Sequence, residues 1–200
     1  MNTAPEVADN DLARRAAQGD DEAFAELVRR HKEGLYRLLR RYTGNPEDAY
    51  EATHEAFVAA WRALARYNPE LPFVPWLRTI AINKVRDLGR RSALRRLLFG
   101  SKPLEDSEAQ ETADPAPTPE ESLAARQIRE RLDRAIAALP AKLKQPLLLT
   151  AFEGFSQQEA AHALGISAKA VETRVYRARK LLSGRLGDEI GVTASGRARS

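Results

Sequence analysis

Residues 155–185 read FSQQEAAHALGISAKAVETRVYRARKLLSGR, and the fold turns on this stretch. Ser156 followed by Glu159 is a capping box, in which the Ser hydroxyl accepts from the N–H three positions on and the Glu carboxylate reaches back to the cap. Ala160, Ala161 and Leu164 then supply an apolar stripe whose small side chains let a second helix cross closely. Gly165 stands where the chain must turn, because glycine enters the left-handed conformation without a Cβ clash. Ser167 is placed to cap the next helix. In that helix Val171, Val175, Ala178 and Leu182 recur at helical spacing and are expected to face inward. Lys169, Glu172, Thr173, Tyr176, Arg177 and Lys180 are left facing outward. A helix, a glycine turn and a basic second helix spell the helix-turn-helix that enters a major groove. Alone, the pattern also fits an ordinary helical hairpin with a solvated basic face.

Upstream of this stretch the period stays helical, and no alternating strand pattern occurs. Leu12, Ala13, Ala16 and Ala17 share one face from Asp11 on, Gly19 stops that helix, and Asp20 caps the next. Phe24, Leu27, Val28, His31, Leu35, Leu38, Leu39 and Tyr42 continue at helical spacing to Gly44. Asn45-Pro46 opens a third helix with Ala49, Ala52, Ala56, Phe57, Ala60, Trp61 and Leu64, ending near Tyr67-Asn68-Pro69. Three prolines between Asn68 and Pro75 predict a loop there, followed by a helix from Trp76 to Arg91. A second set of helices resumes at Leu123, with Ile128, Leu132, Ile136 and Leu139 on one face, and Pro140 opens another that Gly154 ends.

Between the two halves the composition changes. Pro103, Pro115, Pro117 and Pro119 mix with Glu105, Asp106, Glu108, Glu111 and Asp114, and few apolar residues accompany them. Such a segment buries too little surface to fold alone. The expected organisation is all-α: a disordered N-terminus over 1–9, a helical domain over 10–98, an acidic linker over 99–121, a helix-turn-helix domain over 122–187 and a disordered tail over 188–200. Arg86, Arg90, Arg91, Arg95 and Arg96 close the first domain with a basic run, which reads as a solvated face or as one of two cationic surfaces for a long polyanion.

Composition narrows the classes. Net charge is +4 and cysteine is absent, so disulfides, thiolate zinc sites and a cysteine nucleophile are excluded. No basic start leads into an apolar core near Met1, and no apolar run approaches membrane-spanning length, so a soluble intracellular chain without membrane insertion is expected. His31, His54 and His162 lack zinc-ligand spacing, and no glycine-rich phosphate loop occurs, so no metal, cofactor or catalytic residue is expected.

Two blocks of the chain resemble a known family. One runs from Asp21-Glu-Ala-Phe-Ala-Glu-Leu-Val through Ala59-Ala-Trp-Arg-Ala-Leu to Pro72-Phe-Val-Pro-Trp-Leu-Arg-Thr-Ile-Ala-Ile-Asn-Lys-Val-Arg-Asp; the other runs from Leu139-Pro through Phe155-Ser-Gln-Gln-Glu to Gly165-Ile-Ser-Ala-Lys-Ala-Val-Glu-Thr-Arg-Val-Tyr-Arg-Ala-Arg. In this order and separation they resemble bacterial RNA polymerase sigma factors of the extracytoplasmic-function group, the minimal type that keeps regions 2 and 4. The resemblance implies binding to core RNA polymerase, direction to specific promoters, assistance in opening the DNA, a bacterial cytoplasmic location and an anti-sigma partner.

Carried over by position, it assigns Glu51, His54, Glu55 and Phe57 to the surface that docks on the polymerase clamp. Tyr67, Asn68, Phe73, Asn83, Lys84 and Arg86 fall where the family meets the −10 element, and Ser167, Lys169, Glu172, Thr173, Arg174, Tyr176 and Arg177 where it meets the −35 element. The acidic linker matches the segment that threads through the polymerase. The clamp-binding run departs from the family's Asp-Leu-x-Gln-Asp/Glu pattern: it reads Glu51-Ala-Thr-His54-Glu55, with both acids kept, His54 in place of Gln and Ala52 in place of Leu.

The residue chemistry agrees with such a division. Thr173 and Tyr176 suit base edges, with Glu172 as an acceptor for cytosine, while Lys169, Arg174 and Arg177 suit phosphates. Arg179 and Arg185 fit either contacts or plain surface charge. Phe57, Trp61, Phe73 and Trp76 fit core packing as well as a site wall. A self-sufficient helix-turn-helix transcriptional regulator is the alternative reading; it would need a dimer seam or a ligand-sensing domain. An enzyme would need a catalytic constellation that the chain lacks.

Overall fold

A computed structural model describes residues 8–99 and 123–190, with side chains over 8–89 and 126–187. The described residues form eight α-helices and no strand: α1 (Asp9–Ala17), α2 (Asp21–Thr43), α3 (Pro46–Ala63), α4 (Phe73–Phe99), α5 (Leu123–Ala137), α6 (Ala141–Ala151), α7 (Gln157–Leu164) and α8 (Ala168–Ile190). Helices α1–α4 make one compact unit and α5–α8 a second. The proline-rich acidic segment lies outside the described residues, as do residues 1–7 and 191–200.

Local chemistry sets the helix ends. Asp20 accepts from the Ala23 N–H at 3.0 Å to start α2. Gly44, at φ 76, stops it. Asn45 Oδ1 takes the Glu47 and Asp48 N–H groups at 2.8 and 3.0 Å, with Pro46 in the first turn of α3. These are donors that no helix can satisfy internally. Helix α1 begins at Asp9, earlier than the expected start at Asp11, because the Asp9 carboxylate is held by Arg30 at 3.1 Å and His31 at 2.8 Å on α2.

The proline-rich loop is shorter than its composition predicts. Leu64–Arg66 forms a single 3-10 turn, and α4 starts at Phe73 with Pro75 already helical. A proline in the first turn costs no hydrogen bond, because the N–H it lacks has no partner there in any helix. At its other end α4 carries the backbone of the basic run as far as Phe99; the side chains of Arg90, Arg91, Arg95 and Arg96 lie outside the described set. Helix α8 likewise continues past Gly187 to Ile190.

In the first unit α2 packs against α1, α3 and α4, and α3 also packs against α4. Ala49, Ala52, Ala56 and Ala60 are fully buried on α3, so two neighbours can approach its backbone closely. Leu27, Leu38, Leu39, Phe73, Leu77 and Ile82 fill the space between. In the second unit α8 is the hub and touches α5, α6 and α7. Ile136, Leu148, Leu149 and Val171 form its core, whereas Ile128, expected on the same inward face of α5, is 62% exposed. Pro146 lies inside α6 and withholds one backbone donor there, while Thr150 donates its hydroxyl to the Pro146 carbonyl at 2.8 Å.

Candidate nucleic-acid interface

In the second unit the capping box is fully formed. Ser156 Oγ accepts from the Glu159 N–H at 3.2 Å, and the Ser156 N–H donates to Glu159 Oε2 at 2.7 Å. The same contacts hold the Glu159 carboxyl below its ordinary pKa, with the Ser156 backbone donor as the largest cause. Gly165 turns the chain at φ 64. Ser167 Oγ then accepts from the Ala170 N–H at 3.2 Å, so the serine acts as a cap at the start of α8.

Val171, Ala178 and Leu182 of α8 are buried and Val175 is half-buried, which leaves the basic face outward. Tyr176 is 68% exposed. The Thr173 hydroxyl donates to the Lys169 carbonyl at 2.8 Å, which orients its oxygen lone pairs, and Lys169 Nζ pairs with Glu172 at 2.8 Å. Arg174 is half-buried and Arg177 exposed. Gln157, Glu172, Thr173, Val175, Tyr176 and Arg179 line an open cleft of about 390 Å³. The cleft joins Gln157 from α7, which periodicity passed over, and Arg179, which it left undecided, to the expected base-reading residues.

In the first unit the loop and the start of α4 enclose an aromatic cluster. Tyr67 packs on Trp76 with centroids 4.9 Å apart and meets Phe73 edge-on at 5.9 Å. Phe73 lies 5.6 Å from Trp76 and 5.9 Å from the His31 ring. Phe73 is 1% exposed and Tyr67 is buried, so both rings form the floor beneath the loop, and Trp76 is half-buried against them. Burial pushes the Tyr67 phenol above its ordinary pKa. Asn68 is exposed and its Oδ1 accepts from the Glu70 N–H at 3.1 Å, while Leu71 at the loop tip is 54% exposed.

Asn83 and Lys84 sit half-buried on α4. Lys84 Nζ lies 3.6 Å from Glu55 on α3, so one ion pair joins a residue expected at the polymerase to one expected at DNA. Arg86 Nε is 3.5 Å from Asp87 Oδ1 but makes no hydrogen bond.

On α3, Glu51 and His54 are exposed and Glu55 half-exposed, whereas Phe57 is buried edge-on to Phe24 at 6.4 Å. Phe57 therefore supports this face from below. Trp61 packs on Phe24 at a tilt, with centroids 4.8 Å apart and 41% of its surface open, and Tyr50 is 64% exposed. Tyr50 precedes His54 by four residues and so shares its helical face, a signal available in the spacing. Among the described residues no helix is long and apolar enough to cross a membrane, and no group of three or more His, Asp or Glu is placed to hold a metal.

A helix-turn-helix with an outward basic face, following in sequence a helical unit with a pinned loop, defines a DNA-binding protein of two helical modules. The family model for sigma-70 region 2 matches residues 27–95, and that for sigma-70 region 4 matches residues 129–182. RNA polymerase sigma factor CnrH of Cupriavidus metallidurans is 44% identical over 181 residues, 90% of this chain and 94% of that one. RNA polymerase sigma factor NccH of Alcaligenes xylosoxydans xylosoxydans is 43% identical over 181 residues, 90% of this chain and 95% of its own. The solved structure of CnrH in complex with the cytosolic domain of CnrY superposes with a TM-score of 0.65 at 35% identity, over 92% of this chain and 99% of that one. The chain belongs to the RNA polymerase sigma factors, in their extracytoplasmic-function group.

Proposed function

We propose that this sigma factor divides its work between the two units. The second unit lays α8 in the major groove of the −35 element. There Thr173 and Tyr176 meet base edges, Glu172 is an acceptor for a cytosine amino group, and Lys169, Arg174 and Arg177 neutralise phosphates. Ser167 caps the helix that carries them. The first unit binds core RNA polymerase through the α3 face of Glu51, His54 and Glu55, with Phe57 as its support. It captures the opened −10 strand with the loop at Tyr67 and Asn68 and with Asn83, Lys84 and Arg86 on α4.

Taking a base out of the stack costs a few kcal/mol, which a rigid loop over an aromatic floor offsets by stacking and hydrogen bonding. Tyr67 and Phe73, buried beneath the loop, hold it rigid from below rather than stacking on the base themselves. The reading calls on no acid, base, nucleophile, metal or cofactor from the chain, and it places the protein with the polymerase in the bacterial cytoplasm. CnrH is held by the cytosolic domain of CnrY in its solved structure, and likeness to CnrH supports a comparable anti-sigma partner here. The match of both units to the two sigma-70 regions, together with the outward Thr173–Tyr176 face, carries the reading.

Reconstitution tests it. Purified protein, core RNA polymerase and genomic promoter fragments are expected to give discrete transcripts that neither protein gives alone. Tight specific duplex binding without polymerase, and no transcript with it, would instead favour a self-sufficient regulator. Charge reversal of Glu51 and Glu55 is expected to abolish core binding and leave −35 duplex binding of the full chain unchanged. Equal loss of both would count against the division.

A further inference from the structure

The loop between the 3-10 turn and α4 has no regular structure, yet its backbone is tied at several points. Asn68 Oδ1 takes the Glu70 N–H at 3.1 Å, the Leu71 N–H reaches the Asn68 carbonyl at 3.0 Å, and the Tyr67 hydroxyl donates to the Leu71 carbonyl. Those ties are local. The others come from α1, about sixty residues earlier in the chain. Asn10 Nδ2 donates to the carbonyls of Pro69 and Leu71, both at 3.1 Å, and Asn10 Oδ1 accepts from the Phe73 N–H at 3.0 Å.

One side-chain amide thus serves two loop carbonyls and the first N–H of α4, a donor that the helix cannot satisfy by itself. Its neighbour Asp9 is tied the other way, to Arg30 and His31 on α2. Adjacent residues at the start of α1 therefore fasten the loop to the body of the unit. Against this anchored backbone Leu71 keeps 54% of its surface exposed, an apolar side chain held in solvent at the loop tip.

We infer that Asn10 is the positioning residue of the strand-capture loop. Its amide holds the loop in one conformation before DNA arrives, so that Asn68 and Leu71 are presented to the displaced strand without an ordering step on binding. The inference rests on the reading of this loop given under Proposed function. Ordering a free loop on binding subtracts from the affinity and blurs the discrimination between bases, and a loop ordered in advance escapes both costs. Asn is the fitting residue type. Aspartate would keep the acceptor for the Phe73 N–H but would set an anionic oxygen against the Pro69 and Leu71 carbonyls, and alanine would take this partner from the Pro69 carbonyl and the Phe73 N–H and leave the Leu71 carbonyl to the Tyr67 hydroxyl alone.

The test uses the full chain, with Asn10→Ala and Asn10→Asp. Amide hydrogen exchange without DNA is expected to quicken about tenfold at Glu70, Leu71 and Phe73 in Asn10→Ala. In Asn10→Asp the Phe73 amide is expected to stay protected while the loop amides quicken. With core RNA polymerase, both variants are expected to lose about three- to tenfold of the discrimination between native and base-substituted −10 elements, and to keep the full response to −35 substitutions. If Asn10→Ala loses helical content, Asn10→Asp carries the test.

Unchanged exchange in both variants overturns the inference. So does faster exchange with unchanged −10 discrimination, since Asn10 would then be structural only. If the unaltered protein itself ignores −10 substitutions, the loop reading falls and the inference with it, an outcome distinct from the other two.

Discussion

Among the described residues no carboxylate pairs with Arg177, which points outward from α8, whereas Lys169 about two turns before it is tied to Glu172 at 2.8 Å. A guanidinium in that state neutralises a phosphate without first giving up a partner. Arg177→Ala is expected to weaken promoter binding about equally across sequences and to flatten the salt dependence by about one unit of log K against log salt. Titration at several salt concentrations reads the slope, and an unchanged slope would remove Arg177 from the phosphate contacts. Aromatic residues taught a different lesson at this scale. Residue type alone did not separate Tyr176, 68% exposed, from Tyr67 or Phe73 in the core, since a ring serves both purposes. The helical period around Tyr176 resolved its side; the irregular loop around Tyr67 offered no period to use.

At the level of single helices, caps and hinges decide. Ser156 satisfies one orphan N–H of α7 through its hydroxyl, so Ser156→Ala is expected to destabilise the second unit by about 1 kcal/mol, read from a chemical denaturation midpoint. Lys144 on α6 makes a subtler joint. It is buried, and its ammonium donates to the carbonyl of Ala137, the last residue of α5, at 2.6 Å. Burial pushes its pKa from 10.5 down to about 8. The unfolded chain holds that proton up to a higher pH than the folded one. Folding therefore carries the whole penalty below pH 8, and loses it as the pH rises from 8 towards 10.5. Thermal melts across that range are expected to show the native protein gaining stability relative to Lys144→Met as pH rises. A constant difference would show that the lysine titrates normally. Composition misjudged the start of α4 for a reason of the same scale. Proline reads as a loop former, but in the first turn of a helix its missing N–H is no loss, and Phe73–Pro75 are helical.

Over the whole molecule the two units have separate cores, one around Leu27, Leu39 and Phe73 and the other around Ile136, Leu148 and Val171. Leu148→Ala is expected to destabilise the α5–α8 unit by about 2–5 kcal/mol and leave exchange protection in α2 and α3 unchanged, with Leu27→Ala doing the reverse. Loss of protection in both units from either change would mean that they unfold as one. The helices, their caps and the helix-turn-helix were readable because each depends on residues within about four positions: Ser156 with Glu159, Asn45 with Asp48, the spacing from Val171 to Leu182. Chemistry at that range is encoded locally, so the class of protein followed from the chain alone. Contacts across the fold carry no such signature. The clasp of Asn10 on the loop spans about sixty residues, Glu55 meets Lys84 only because α3 packs on α4, and Phe73 becomes floor only once α1, α2 and α4 close over it. Which side chains stand free for DNA and which hold those in place is a property of that packing.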